Sequence, residues 1–382
     1  MTSMLAEARV QRMAEHWRLW VDQGWIVGGV LLMAEHGVLR YAEARGLRDR
    51  QQGLVMARRT RFRLASLSKL LTSVTALRLC DAGVLGLEEP VATWLPEFRP
   101  RLVNGREPPI TLAHLLSHTA GLGYGFEMPP GNPYANAGVS DGLDRTDHDL
   151  AENLRRLASV PLLSEPGHAW RYSLGTEVVG AILERATGES LADCVARWVT
   201  GPLDMALTGF PDDRDSAPLS LAYKDGRYGP QQLDADDQLE LDAGVARLSP
   251  DRAFDPRQYP SGGAGMLGCA DDYLRLLECL RLGGAPLLRP DTTARLLSNA
   301  IGDVPIQSRG PGWAFGLGPM LLTDPLAARQ PQNAGTWSWC GLYGSHYWVD
   351  PVAGISLVAL TNTAVAGAWG PFADGLIQAL YR

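Results

Sequence analysis

The sequence predicts an α/β fold of the α+β kind: an antiparallel sheet built from both chain ends, flanked by helices, with a mainly helical domain inserted between. Two hairpin patterns near the termini and a run of helical patterns between them carry this expectation. IVGGVLLMA and VLRYAEA flank Glu35-His36-Gly37, and SHYWVD and ISLVALTN flank Pro351-Val352-Ala353-Gly354. Apolar stretches on either side of a short turn read as paired strands. A chain of 382 residues exceeds what one small domain needs. The expected division is a sheet domain over 1–95 and 245–382, and an inserted domain over 96–244.

In chain order, MTSMLAEARVQRMAEHWRLW reads as an amphipathic helix. Its acidic residues interrupt the apolar run that a signal peptide requires. The longest apolar stretch, Trp25 to Ala34, is too short to span a bilayer as a helix. A cytoplasmic protein with no membrane span is therefore expected. After the first hairpin, LSKLLTSVTALRLCDAG places Leu67, Leu70, Leu71, Val74, Leu77 and Leu79 at mostly helical spacing, closed by Gly83. The middle holds two long loops rich in Gly, Pro and Asp, of the kind that form lids or pocket walls. PFADGLIQALY then closes the chain as a helix.

The net charge of -7 and the absence of a basic stripe argue against a nucleic-acid partner and for a small-molecule substrate. The five cysteines Cys80, Cys194, Cys269, Cys279 and Cys340 are scattered, without zinc-site spacing. Free thiols, no metal and no cofactor are expected.

Lys69 is one of two lysines among 35 basic residues, the rest being arginine. Charge alone does not explain it, because an arginine would serve as well. A lysine can give up its proton in an apolar setting, whereas arginine stays charged. Ser66 stands three residues earlier, so the helical spacing puts hydroxyl and amine on one face. The helix N-terminus would stabilise charge developing on the serine oxygen.

These residues and five further blocks resemble the serine β-lactamase and penicillin-binding-protein superfamily, in its class C-like branch with the family VIII carboxylesterases and related acyltransferases. The blocks, in the family's order, are FRLASLSKLLTSVTALRL, GVLGLEEPVATWLPEF, ITLAHLLSHTAGL, PGHAWRYSLGTEVVGAILERATGESL, SGGAGMLGCADDYLRLLECL and WSWCGLYGSHYWVDPVAGISLVAL. The resemblance implies a β-lactamase/transpeptidase-like fold. It also implies Ser66 as nucleophile, Lys69 as the group that assists its deprotonation, and Tyr172 as a partner in acid/base work. A phenol near an ammonium is expected to ionise more easily. The backbone N–H groups of Ser66 and Leu342 would form the oxyanion hole.

The match departs from the family at two places. Leu174 stands where the tyrosine motif often ends in asparagine. Trp339-Cys340-Gly341 stands where β-lactamases have Lys-Thr-Gly and the family's esterases commonly have Trp-Gly-Gly. With Tyr124, Phe126, Trp337 and Tyr343, these residues are the expected walls of an acyl pocket.

Gly138-Val139-Ser140-Asp141-Gly142 fits the G-x-S-x-G pattern, but a polar loop precedes it where a buried strand is needed. His118 reads as a structural histidine, and His16, His36, His114, His148, His168 and His346 form no ligand cluster. The expected activity is a serine carboxylesterase acting on short or medium acyl esters through an acyl-enzyme. The alternatives are transfer of the acyl group to a specific acceptor, hydrolysis of β-lactams or D-amino-acid peptides, and a scaffold that only binds acylated ligands. The oligomeric state is not legible.

Overall fold

A computed structural model describes residues 2–211 and 217–381. Its centre is an eight-stranded antiparallel sheet drawn from both chain ends. The N-terminal part gives β1 (Gly28–Glu35), β2 (Val38–Asp49) and β3 (Leu54–Val55). The C-terminal part gives β4 (Trp313–Phe315), β5 (Met320–Leu322), β6 (Trp337–Gly341), β7 (Ser345–Asp350) and β8 (Ile355–Thr361). Their order is β4-β5-β6-β7-β8-β1-β2-β3. The two expected hairpins are β1-β2 and β7-β8, and the join between chain ends is the β1-β8 ladder, from Gly29 opposite Thr361 to Glu35 opposite Ile355.

Both faces of this sheet are covered, which is why IVGGVLLMA reads as one apolar run rather than an alternation. Leu31, Met33, Leu357 and Ala359 point to one face. There they pack on Met13 and Trp17 of α1 (Thr2–Asp22) and on Phe372 and Leu376 of α5 (Pro371–Tyr381). Val30, Leu32, Val358 and Leu360 point the other way into the larger core. That core includes α2 (Ser68–Asp81), α3 (Gly175–Thr187) and α4 (Ala270–Arg281). At 25 cal/mol or so per Å² of apolar area, these two layers are the main source of stability.

Three details position the site. The α2 helix does not begin at Ser66 as its pattern suggests: Ala65–Leu67 form a 3₁₀ turn, entered through a positive φ of 45° at Ala65, and the α-helix starts at Ser68. A non-glycine residue in this region is strained and is held there by its surroundings. The restraint comes from the chain around 261–268. Phe62 and Arg63 pair with Gly268 and Leu267, Leu64 N donates to Met266 O at 2.9 Å, and the Tyr273 hydroxyl of α4 donates to Leu67 O at 3.0 Å. Finally, β5 pairs with β6 at Ser338 and Trp337, so among the described residues Trp339–Gly341 have a strand neighbour on one side alone.

The second long loop is partly extended, with short strands at Tyr223–Lys224, Gln231–Gln232 and Asp237–Glu240. Tyr223 and Lys224 pair with Thr363 and Ala364 just beyond β8. Its residues 212–216 lie outside the described part. Among the described residues no helix is long and apolar enough to cross a membrane.

Candidate active site

Ser66 sits in the strained 3₁₀ turn and Lys69 one turn on, in the first turn of α2. The Lys69 Nζ lies 3.3 Å from Ser66 Oγ and donates to Gly263 O at 2.9 Å. The lysine is 2% exposed, with its amine over the rings of Tyr172 (4.8 Å to the centroid) and Tyr124 (5.1 Å). Burial withdraws water from the ammonium and pushes its pKa down to about 7, while the Glu177 carboxylate opposes the shift. An amine that is neutral near pH 7 is a base, which is what an arginine at this position could not be.

Tyr172 precedes α3 and donates its hydroxyl to Ser66 Oγ at 2.5 Å. Burial raises its pKa, and the hydrogen bond to Ser66 counteracts this in smaller measure. The expectation that a lysine neighbour would ease its ionisation is therefore reversed. The amine close to it is itself driven towards neutrality, so desolvation of the phenolate prevails. The phenol thus donates to the serine oxygen, and the serine can donate to the Lys69 amine once that amine has lost its proton. His118, buried and with a φ of 58°, meets the Tyr172 ring edge-on at 5.0 Å and bonds Ser173 Oγ through Nδ1 at 3.0 Å. It is a support for the tyrosine segment.

The walls are aromatic. Tyr124 stacks on Phe126 with centroids 4.6 Å apart and lies 4.9 Å from Tyr172, while Trp339 lies 5.1 Å from Tyr172 on another side. Phe315 meets Trp339 at 5.2 Å and Trp170 at 5.4 Å. Neither Phe315 nor Trp170 was expected here; both lie in segments whose aromatic residues give no spacing signal. Trp337 is buried against Tyr347, on the core side of β6.

Gly341 closes β6 against the turn that carries Ser66. A Cβ there would stand 2.3 Å from Leu64 O, so only glycine lets the strand end come this close. The Leu342 amide follows Gly341 at the end of β6, beside the turn that carries Ser66. Cys340 alternates away from Trp339 along the strand. Opposite it, His346 packs on Phe372 of α5. Cys340 and Trp339 both border a cavity of about 340 Å³ that runs to Asp374 and Ile377 of α5. Tyr343 does not join the aromatic set. It lies past the end of β6 and lines a much smaller cavity with Arg63, Leu143 and Met266.

Ser140 is a turn anchor: its hydroxyl donates to Asp144 Oδ1 at 2.6 Å and its amide to Asn153 Oδ1 at 2.8 Å. Its neighbour Asp141 accepts from the amides of Gly125 and Phe126, at 2.8 and 3.1 Å, and so holds the pocket wall. Burial pushes this carboxyl up to about 7. Among the described residues no group of three or more His, Cys, Asp or Glu is placed to hold a metal.

One buried carboxylate was not foreseen. Glu177, on α3, accepts through Oε1 from Ser261 Oγ at 2.6 Å and from Gly263 N at 2.9 Å. The SGGAGM block carried a signal, since adjacent glycines mark close backbone approach, but nothing in it named the partner.

Comparison with known proteins agrees with this architecture. The beta-lactamase family model matches residues 6–379. The chain is 45% identical over 359 residues to esterase EstB of Burkholderia gladioli, covering 93% of this chain and 91% of that protein. It is 26% identical over 373 residues to acyltransferase mokF of Monascus pilosus, covering 87% and 86% respectively. Among solved structures, EstCE1, described as a hydrolase with promiscuous acyltransferase activity, superposes with a TM-score of 0.95 at 41% identity. That match covers 99% of this chain and 100% of the other. With the family model spanning nearly the whole chain and a relative 45% identical over 93% of it, this protein belongs to the beta-lactamase family.

Proposed function

We propose that the protein is a serine carboxylesterase that hydrolyses short or medium acyl esters through an acyl-enzyme on Ser66. The observation that carries this reading is the convergence of Lys69 Nζ and Tyr172 Oη on one oxygen, Ser66 Oγ, at 3.3 and 2.5 Å. In the mechanism, neutral Lys69 takes the proton of Ser66 as its oxygen bonds to the ester carbonyl carbon. The negative charge that develops on the carbonyl oxygen is met by the backbone N–H groups of Ser66 and Leu342. Tyr172 gives its proton to the departing alcohol as the C–O bond breaks, and the proton held by Lys69 restores the phenol. Water then attacks the acyl-enzyme by the same route in reverse.

Transfer of the acyl group to an alcohol is a second reading. It is supported by the description of EstCE1 and by the likeness to acyltransferase mokF. We read a small-molecule ester as the partner, and the net charge of -7 argues against nucleic acid. We also read the protein as cytoplasmic.

Esters are favoured over β-lactams because Trp339 occupies the place of a cationic side chain. A substrate carboxylate brought against this indole is desolvated without a matching cation, at a cost of a few kcal/mol. The catalytic efficiency on nitrocefin should therefore be roughly a hundredfold or more below that on a short-chain nitrophenyl ester. Steady-state rates measured side by side test this, and an efficiency on nitrocefin equal to the ester's would overturn it.

A further inference from the structure

Glu177 is an expensive residue. It is fully buried, and its Oε2 atom has no hydrogen-bond partner among the described residues. A buried carboxylate with one unsatisfied oxygen is destabilising unless a nearby charge offsets it. The position is also shaped for it: a Cβ on Gly263 would stand 2.7 Å from Glu177 Oε1, and one on Gly142 would stand 3.1 Å away. The chain thus removes side chains on two sides to admit this carboxylate.

What Glu177 holds is the peptide that receives the lysine. Its Oε1 takes the N–H of Gly263, and the carbonyl of the same residue takes the Lys69 amine. The carbonyl of Gly262 is taken in turn by the Thr72 hydroxyl at 2.7 Å, one turn along α2 from Lys69. Carboxylate, glycine and amine form one connected chain from α3 to α2. Leu174, where the related motif often has an amide, cannot make any of these bonds.

We propose that Glu177 is a positioning residue for the esterase reaction: it fixes Gly263 so that the Gly263 carbonyl aims the Lys69 amine at Ser66, and its charge is the buried counter-charge of that amine. The proposal rests on the reading of Lys69 as the base. The charged and titratable groups around the pair are few. Arg252 acts on Glu177 from the turn at 250–254, and Tyr259 stands beside it. Asp141, Cys340, Tyr124, Tyr172 and His118 face or act on Lys69. Burial raises the Glu177 pKa, and the hydrogen bonds from Ser261 and Gly263, then Arg252 and Lys69, oppose that shift and favour the carboxylate, whereas Asp141 favours the ammonium as Glu177 does.

The test is the pH dependence of ester hydrolysis in Glu177→Gln and Glu177→Ala, with wild type and Ser66→Ala alongside. Glutamine keeps the shape and an acceptor oxygen but removes the charge. Without that charge the ammonium loses its counter-ion, so its pKa falls and the acidic limb of kcat/KM should move to lower pH, by about one unit. Alanine also releases Gly263, and kcat should fall about tenfold or more with KM changed by less than about threefold. Circular dichroism and thermal melting confirm that each variant is folded. A folded Glu177→Gln enzyme whose acidic limb stays at the wild-type pH would overturn the counter-charge role. A folded Glu177→Ala enzyme with wild-type kcat would overturn the positioning role. Should Ser66→Ala retain ester turnover, the esterase reading itself fails, which separates the two outcomes.

Discussion

At the residue scale, the protein turns on the difference between two cations. The chain uses arginine almost everywhere and keeps lysine at position 69, where burial drives the amine towards neutrality at about pH 7. If Lys69 is the base we propose, its amine is active in the unprotonated form, and kcat/KM for an ester should rise with pH through about 7, falling away on the acid side as the ammonium forms. Lys69→Arg keeps a charge near Ser66 but has no titrating amine, and should lose on the order of a thousandfold or more in kcat, nearly as much as Lys69→Ala. Hydrolysis of a nitrophenyl ester by the two variants checks this. An arginine enzyme within about tenfold of wild type would make Lys69 a fixed charge instead of a base. The nearness of Lys69 to Ser66 was legible because rarity and spacing are properties of the sequence. The state of Tyr172 was not, since its pKa is governed by how completely the pocket excludes water, and only the fold sets that.

At the scale of elements, the proposed reaction depends on the end of β6 meeting the turn before α2. The sheet hairpins were legible from their apolar runs and turns, and so were α1 and α5 from their periodicity. The outermost strands β4 and β5 were not: each has three residues, set among glycines and prolines, and only the pairing of β5 to β6 and of β4 to β5 identifies them. Tyr343 was misplaced for a related reason, because strand alternation ceases at Gly341 and cannot be carried past the turn. Gly341 itself is the sharpest point of contact. Gly341→Ala would bring a methyl group within 2.3 Å of Leu64 O, a backbone atom, and within 3.2 Å of the Leu67 side chain. The strand must then withdraw from Ser66, at a cost in stability of about 1–3 kcal/mol. We expect kcat to fall about tenfold or more and the melting temperature to drop by a few degrees, with the acidic limb of the pH profile unmoved. Steady-state kinetics and a thermal melt measure both, and full activity in this variant would show that the fit between β6 and the turn is not needed.

At the scale of the whole molecule, the sheet from both chain ends acts as a frame on which three distant segments converge. Ser66 comes from the 3₁₀ turn before α2 and Lys69 from the first turn of α2, Tyr172 and Glu177 from the entry to α3, and Gly263 from the 261–268 segment that clamps the Ser66 turn. The sequence exposes the first two as motifs, but Glu177 lies within TEVVGAILE, where a glutamate reads as ordinary helix surface. It becomes part of the site because Ser261 and Gly263, more than 80 residues on, fold against it. The central claim is that this convergence makes Ser66 the residue that carries the acyl group. The direct measurement is mass spectrometry of the protein quenched in acid during turnover of a nitrophenyl ester, with peptide mapping of the acylated site and Ser66→Ala as control. One acyl group per chain on Ser66, absent from the control, is the predicted result. Acyl transfer to Ser140, or to any residue in a Ser66→Ala enzyme that still turns over, would contradict it.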